Sequence, residues 1–324
     1  MQAEALERLT LEAIQGARRR IAPHVRVTPL WPSAALSRRL GVEAYVKLEL
    51  FQKTGSFKVR GAFNKMLPLG PGSRVVAVSG GNHAQAVAHA AGVLGMQARI
   101  LMPETTPANY VEATRGYGAE VVLVATIAEA FQQAEAAVAA GWAMVHPFDD
   151  LEVIAGQATL GLEILAELPA VTDIVVSIGG GGLATGVAAA VKPQRPGVRL
   201  WGVETEGADA MARALAAGRP VRLEAITSIA RTLGAPEVSG LTLRAVQRWF
   251  ERVEVVSDAA TVAALDWLLE RCKVLTEPAA ACTLAAAERL KAHWGPESRV
   301  VLVLCGGNLA VDTLCGFAPL RQPR

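Results

Sequence analysis

Apolar positions along the chain switch between a helical spacing and short continuous runs, and the switches mark the elements. Thr10 to Arg20 reads as an amphipathic helix, followed by a loop carrying Thr28-Pro29. The apolar run Glu43 to Leu50 reads as a strand, then comes a loop and Ser56-Phe-Lys-Val-Arg-Gly-Ala62. From Arg74 to about Pro147 the two spacings alternate. Strands are expected at Val75–Val78, Ala98–Met102 and Val121–Val124, and helices at His83–Leu94, Ala108–Tyr117 and Ile127–Ala140. This is an α/β unit of its own, and a second set runs from Val153 to the end. Strands joined by helical crossovers make parallel sheets, so the expected fold is α/β with two open, mostly parallel twisted sheets.

Three strand-like runs end in glycine. Asp173-Ile-Val-Val-Ser-Ile178 runs into Gly179, Gly180, Gly181 and Gly182, then into Leu183 and an alanine-rich helix. Arg74-Val-Val-Ala-Val-Ser79 leads into Gly80-Gly81-Asn82, and Arg299-Val-Val-Leu-Val-Leu-Cys305 into Gly306-Gly307-Asn308. Amides with no side chain in front of them, at a helix N-terminus where the dipole is positive, form a cradle for phosphate. In open α/β sheets such loops gather at the carboxyl ends of the strands, where ligands bind. A nucleoside-triphosphate loop is excluded, because Val187 and Ala188 stand where its lysine and hydroxyl are required. A dinucleotide fingerprint, Gly179-x-Gly181-x-x-Ala184 with Glu204 at the end of the next apolar run, leaves a nicotinamide-dependent oxidoreductase as the rival from another class.

Composition narrows the field. The 324 residues are 52% hydrophobic and 19% charged with a net charge of +2, which gives no nucleic-acid signature. Arg18-Arg19-Arg20 reads as the dipole-favoured end of a helix. No apolar stretch is long enough to span a membrane, and no secretory segment opens the chain. Cys272, Cys282, Cys305 and Cys315 lack metal-ligand spacing and are expected as reduced thiols in a cytoplasmic protein.

Of only seven lysines, Lys58 lies between Phe57 and Val59 with few charges nearby. A phosphate cradle together with a partly buried lysine suits pyridoxal 5'-phosphate, whose aldehyde needs an amine for a Schiff base.

The segment Lys47-Leu-Glu-Leu-Phe-Gln-Lys-Thr-Gly-Ser-Phe-Lys-Val-Arg-Gly-Ala62 resembles the lysine motif of the serine/threonine dehydratases, fold-type-II pyridoxal-phosphate enzymes related to serine racemase. Ser79-Gly-Gly-Asn-His-Ala-Gln85, Val145-His-Pro-Phe-Asp-Asp150, Ala155-Gly-Gln157, Gly179–Leu183, Glu277-Pro278 and Cys305-Gly-Gly-Asn308 match in order, from about Thr10 to Asn308. The resemblance implies a tryptophan-synthase-β-like fold with a large cofactor-binding domain (1–73 and 152–324) and a small substrate-closing domain (74–151). It implies that Lys58 holds the cofactor and later takes the substrate α-proton. Phe57 is expected beside the pyridine ring, Asn82 at its 3'-hydroxyl, and Gly179 to Gly182 with the Leu183 amide at its phosphate. Ser79, Gly80, Gly81 and His83 are expected to take the substrate carboxylate, and Glu277 to lie near the cofactor. Cys305 matches the residue that contacts the pyridine nitrogen. A neutral thiol does not supply an aspartate's charge, which favours elimination over transamination.

The implied reaction is β-elimination of water from L-threonine to 2-oxobutanoate and ammonia, or from L-serine to pyruvate. This is amino-acid metabolism of the kind that feeds isoleucine biosynthesis, carried out by a homodimer on a small amino-acid substrate. Serine racemase or 3-hydroxyaspartate dehydratase activity is the alternative on the same scaffold. Against racemization, Gly80 stands where the racemases carry a second acid/base serine. Against the sulfhydrylases stands Gln52-Lys53 in place of Asn-Pro. Glu204, Ala208 and Ala210 resemble the family's cation loop, with Ala210 where some relatives place a second carboxylate. Ala225 to Gly234 is more like the animal-type serine dehydratases. The chain ends sixteen residues after Asn308, so the isoleucine-sensing domain of biosynthetic threonine dehydratases is not expected.

Overall fold

A computed structural model describes residues 2–321. Its ten strands are β1 (Leu30–Pro32), β2 (Glu43–Leu48), β3 (Arg74–Val78), β4 (Gln97–Pro103), β5 (Glu120–Val124), β6 (Ala143–Met144), β7 (Asp173–Ser177), β8 (Arg199–Thr205), β9 (Arg252–Val256) and β10 (Arg299–Leu304). They form two sheets. The larger has the order β1-β2-β10-β7-β8-β9, and the smaller β5-β4-β3-β6. All pairs are parallel except the three-residue edge strand β1, which runs antiparallel to β2.

Parallel strands covered by helices on both faces read as unbroken apolar runs rather than alternating ones. β7 and β10 show this: every residue of β7 is buried, as are Val300 to Leu304. Helices Leu151–Glu167, Gly182–Val191 and Pro278–Leu290 pack around this sheet, while Asn82–Leu94 and Ile127–Ala139 cover the small one. The small sheet is built from one stretch of chain, and the large sheet from the two flanking stretches.

Among the strands before Asp150, two escaped the periodicity. β6 has two residues and β1 three, too few to show a period. The β2 run also stops short of Leu50. Glu49–Phe51 folds into a 3₁₀ turn because Glu49, with no exposure at all, turns inward to meet Arg60. Arg60 Nε and Nη2 donate to the two Glu49 oxygens, both at 2.8 Å, and Nη1 donates to Glu163 Oε1 at 2.6 Å. Lys47 Nζ, equally buried, reaches Glu163 and Glu167 at 2.8 Å. Burial alone would lower the Arg60 pKa, but Glu49 and Glu163 outweigh it and hold it above its ordinary value. Buried charges need such pairing, and here they fix helix Lys58–Met66, whose first residue is Lys58.

Candidate active site

The chain leaves β7 and turns through Gly179–Gly182 into helix Gly182–Val191. Gly181 has φ +91°, a conformation that favours glycine, and no side chain caps this helix. A Cβ at Gly180 would lie 2.1 Å from Phe148 Cδ1, and one at Gly179 2.9 Å from the Leu233 carbonyl oxygen. Side chains are therefore excluded from the turn, and bare amides face a recess of about 50 Å³. Phe57, Lys58, Asn82, Ser177, Glu277 and Cys305 share that recess with the four glycines and Leu183. The cofactor-site residues expected from sequence thus converge, although they come from distant stretches of the chain.

Lys58 is half-buried, and its Nζ donates to the Pro147 carbonyl oxygen at 2.8 Å. Burial lowers its pKa to about 8, with Cys305 and Glu277 pulling the other way. The amine is therefore within reach of its neutral form near neutral pH. Cys305 lines the same recess, buried, with Ser177 Oγ donating to its Sγ at 3.4 Å. Burial, then Glu277, raises the thiol pKa well above its usual value, so Cys305 is neutral. Glu277 accepts both its contacts from Asn82 Nδ2 (2.8 and 3.1 Å) and a third from Thr232 Oγ1 (3.0 Å). Burial lifts its carboxyl to about 7. Asn308 Nδ2 completes the chain by donating to Asn82 Oδ1 at 2.8 Å.

This recess opens into a cleft of about 870 Å³ between the two sheets. Ser79, Gly80, Gly81 and His83 line it, at the start of helix Asn82–Leu94. The His83 ring, however, bonds through Nε2 to the Val145 carbonyl oxygen at 2.8 Å, so that nitrogen carries the proton. Burial, then Lys58, drops its pKa to about 3. The imidazole is therefore uncharged, and any anion bound here meets backbone amides rather than an imidazolium.

Glu204, Ala208 and Ala210 lie elsewhere, at the end of β8 and the start of helix Ala210–Ala217, and all three are buried. Both Glu204 oxygens accept backbone N–H groups, from Met211 and Ala212 at 2.8 Å. Burial nonetheless raises its carboxyl to about 8. Its oxygens being so engaged also counts against Glu204 as a ribose ligand in a dinucleotide site. Among the described residues there is no cluster of three or more His, Cys, Asp or Glu that could hold a metal.

Val145–Asp150 matches the family in sequence without a role that follows from its residue types, and the same holds for Thr232. The structure puts Pro147 on Lys58, Phe148 on the glycine turn and Thr232 on Glu277. Only the ordered run of motifs signalled the first two, and Thr232 lies within Ala225–Gly234, whose resemblance carried no role for it.

The family described as "Pyridoxal-phosphate dependent enzyme" matches residues 21–306. The chain belongs to that family. Among its relatives, the L-threonine ammonia-lyase of Thermotoga maritima is 40% identical over 311 residues, covering 94% of this chain and 77% of the relative. The phenylserine dehydratase of Ralstonia pickettii is 41% identical, covering 94% of both. Among solved structures, maize serine racemase superposes with a TM-score of 0.90 at 36% identity, covering 95% of this chain and 96% of the other. The two parallel-rich sheets are thus the fold-type-II arrangement of pyridoxal-phosphate enzymes.

The recess fits the family cofactor. A turn that tolerates no Cβ gives a phosphate cradle, a half-buried lysine of lowered pKa gives the amine, and a neutral thiol faces it. No helix among the described residues is long and apolar enough to cross a membrane.

Proposed function

We propose that the chain is a dehydratase that removes water and then ammonia from L-threonine and L-serine, with pyridoxal phosphate held by Lys58 and Gly179–Leu183. The observation that carries this is the position of the Lys58 amine, lowered to about 8, where the glycine cradle meets the cleft. The cofactor, when bound, supplies an electron sink for the substrate α-carbon. The amides of Ser79–His83 hold the substrate carboxylate. The neutral Lys58 amine takes the α-proton. The β-hydroxyl leaves as water by taking the proton that Lys58 has accepted, and the released enamine adds water and hydrolyses to 2-oxobutanoate or pyruvate and ammonia. Asn82, fixed between Glu277 and Asn308, orients the ring, and neutral Cys305 adds no charge beside it. The segment 74–151 is the part that closes over substrate.

The test is the near-visible spectrum with added pyridoxal phosphate, followed by 2-oxo-acid formation from L-threonine. A band absent from Lys58→Ala, together with product, supports the reading; a colourless protein with no product refutes it.

A bulkier β-substituent is a second reading, favoured by the size of the cleft and by walls that include Phe131, Ile229, Leu309 and Phe317. It agrees with the similarity to a phenylserine dehydratase. Comparing kcat/KM for threonine and 3-phenylserine separates the two. A cation at Glu204 is proposed too, helped by Asp209 Oδ1, a buried oxygen with no hydrogen-bond partner. A cytosolic homodimer is the assembly proposed with this activity, and sedimentation tests the dimer.

A further inference from the structure

His146 is half-buried behind the site: it lines neither the recess nor the cleft itself, but packs against Phe148 and Phe131, which do. Its ring lies edge-on to Phe148 at 4.7 Å between centroids and 6.2 Å from Phe131. Its Nδ1 accepts two backbone N–H groups, from Asp149 at 2.8 Å and Phe148 at 3.3 Å. An acceptor at residue i taking the amides of i+2 and i+3 closes a tight turn, as an Asn or Asp side chain does. The residue at the apex of this turn is Pro147, whose carbonyl receives the Lys58 ammonium proton, and the next is Phe148, whose ring stops the glycine turn.

The same turn is tied to the small sheet. Val145 N–H donates to the Val76 carbonyl at 2.9 Å, and the Val145 carbonyl takes the His83 bond. Asp150 then caps helix Leu151–Glu167, its Oδ1 accepting the amides of Glu152 and Val153. A proline apex has no N–H to anchor it, so the shape of residues 146–149 depends on the ring nitrogen at its start.

We infer that His146 is a positioning residue: by accepting the Phe148 and Asp149 amides it holds the Pro147 carbonyl on Lys58 and so sets the proton affinity of that amine. The assignment rests on Lys58 being the reactive amine of the proposed function. The charged and titratable groups facing the imidazole are Asp149 and Asp150 from its own turn, Lys58 from helix Lys58–Met66 and His83 from helix Asn82–Leu94. Burial keeps the ring neutral, the form that leaves Nδ1 free to accept.

The test uses the full-length chain freed of cofactor. Labelling of Lys58 by 2,4,6-trinitrobenzenesulfonate is followed against pH by peptide mass spectrometry. In the wild type the midpoint is expected near 8. A Lys58 that labels like an exposed lysine would refute the proposed function itself, whatever the variants do. His146→Leu removes the acceptor. The Pro147 carbonyl drifts, the charged amine loses its partner, and the midpoint falls by about one pH unit, a tenfold change. His146→Asn, whose Oδ1 can accept the same two amides, restores the wild-type midpoint. If Leu at 146 does not fold, the more adaptable His146→Met takes its place. An unmoved midpoint in the folded Leu or Met variant overturns the assignment. So does an Asn variant that folds and still fails to restore the midpoint.

Discussion

The Phe148 ring occupies the space that any side chain at Gly180 would need, with Cδ1 only 2.1 Å from the position of a Cβ there. The contact joins two segments more than thirty residues apart, and it faces the phosphate cradle directly. Gly180→Ala is expected to weaken pyridoxal-phosphate binding by about 5- to 150-fold, the range of 1–3 kcal/mol typical of overpacking. Pairing it with Phe148→Ala recovers part of the loss. A spectrophotometric titration of both variants measures this, and an unweakened single variant refutes it.

Lys58 makes stability depend on pH in a defined window. Its folded pKa of about 8 lies below the ordinary lysine value of 10.5. Between these values the unfolded chain binds more protons, so the stability Lys58 withholds is returned as pH rises from about 8 to 10.5. In the cofactor-free chain, Lys58→Met is expected to be more stable than wild type by about 3 kcal/mol at pH 7, with little advantage left at pH 10.5. Urea denaturation at the two pH values decides it; an advantage independent of pH refutes the cause.

Gly80 bears on racemization. A Cβ at Gly80 would sit 2.5 Å from Thr106 Oγ1. Adding the serine hydroxyl found in racemases therefore collides with a β-branched side chain that has few rotamers to retreat into. Gly80→Ser alone should lose activity without gaining racemization, whereas Gly80→Ser with Thr106→Ala should show D-serine formation by chiral chromatography. D-serine from the single variant would contradict the steric argument.

Arg60 lies two residues from Lys58 and is enclosed by carboxylates. Arg60→Met leaves buried Glu49 without its bidentate partner and Glu163 with Lys47 alone, and is expected to cost about 3–5 kcal/mol. A thermal midpoint within two or three degrees of wild type would contradict this assignment of the network.

The sequence carried more of the site than of the fold's edges. Strand–glycine–helix punctuation marks Gly179–Gly182 and Ser79–His83, because only glycine lets backbone approach so closely. Lys58 is legible through its neighbours Phe57 and Val59. What was hidden acts through the backbone or at long range. The Pro147 carbonyl could belong to any residue type, and the partnership of Thr232 with Glu277 depends on a loop that has no period. His83 shows the converse: its place in the carboxylate loop was legible, but not that its ring turns away to Val145. β1 and β6 were too short to leave a pattern.

The pairing of β2 with β10 has a consequence for the order of assembly. Val46 lies beside Leu302, and the Phe57 amide donates to the Cys305 carbonyl at 3.1 Å. The small sheet draws on a single stretch of chain and can form from local contacts. The large sheet keeps a gap between β2 and β7 until the last strand has left the ribosome. Contacts of such long sequence separation form slowly. The segments carrying Lys58 and Cys305 therefore meet only at the end of folding, and until then the chain carries a strand edge open to the wrong partner.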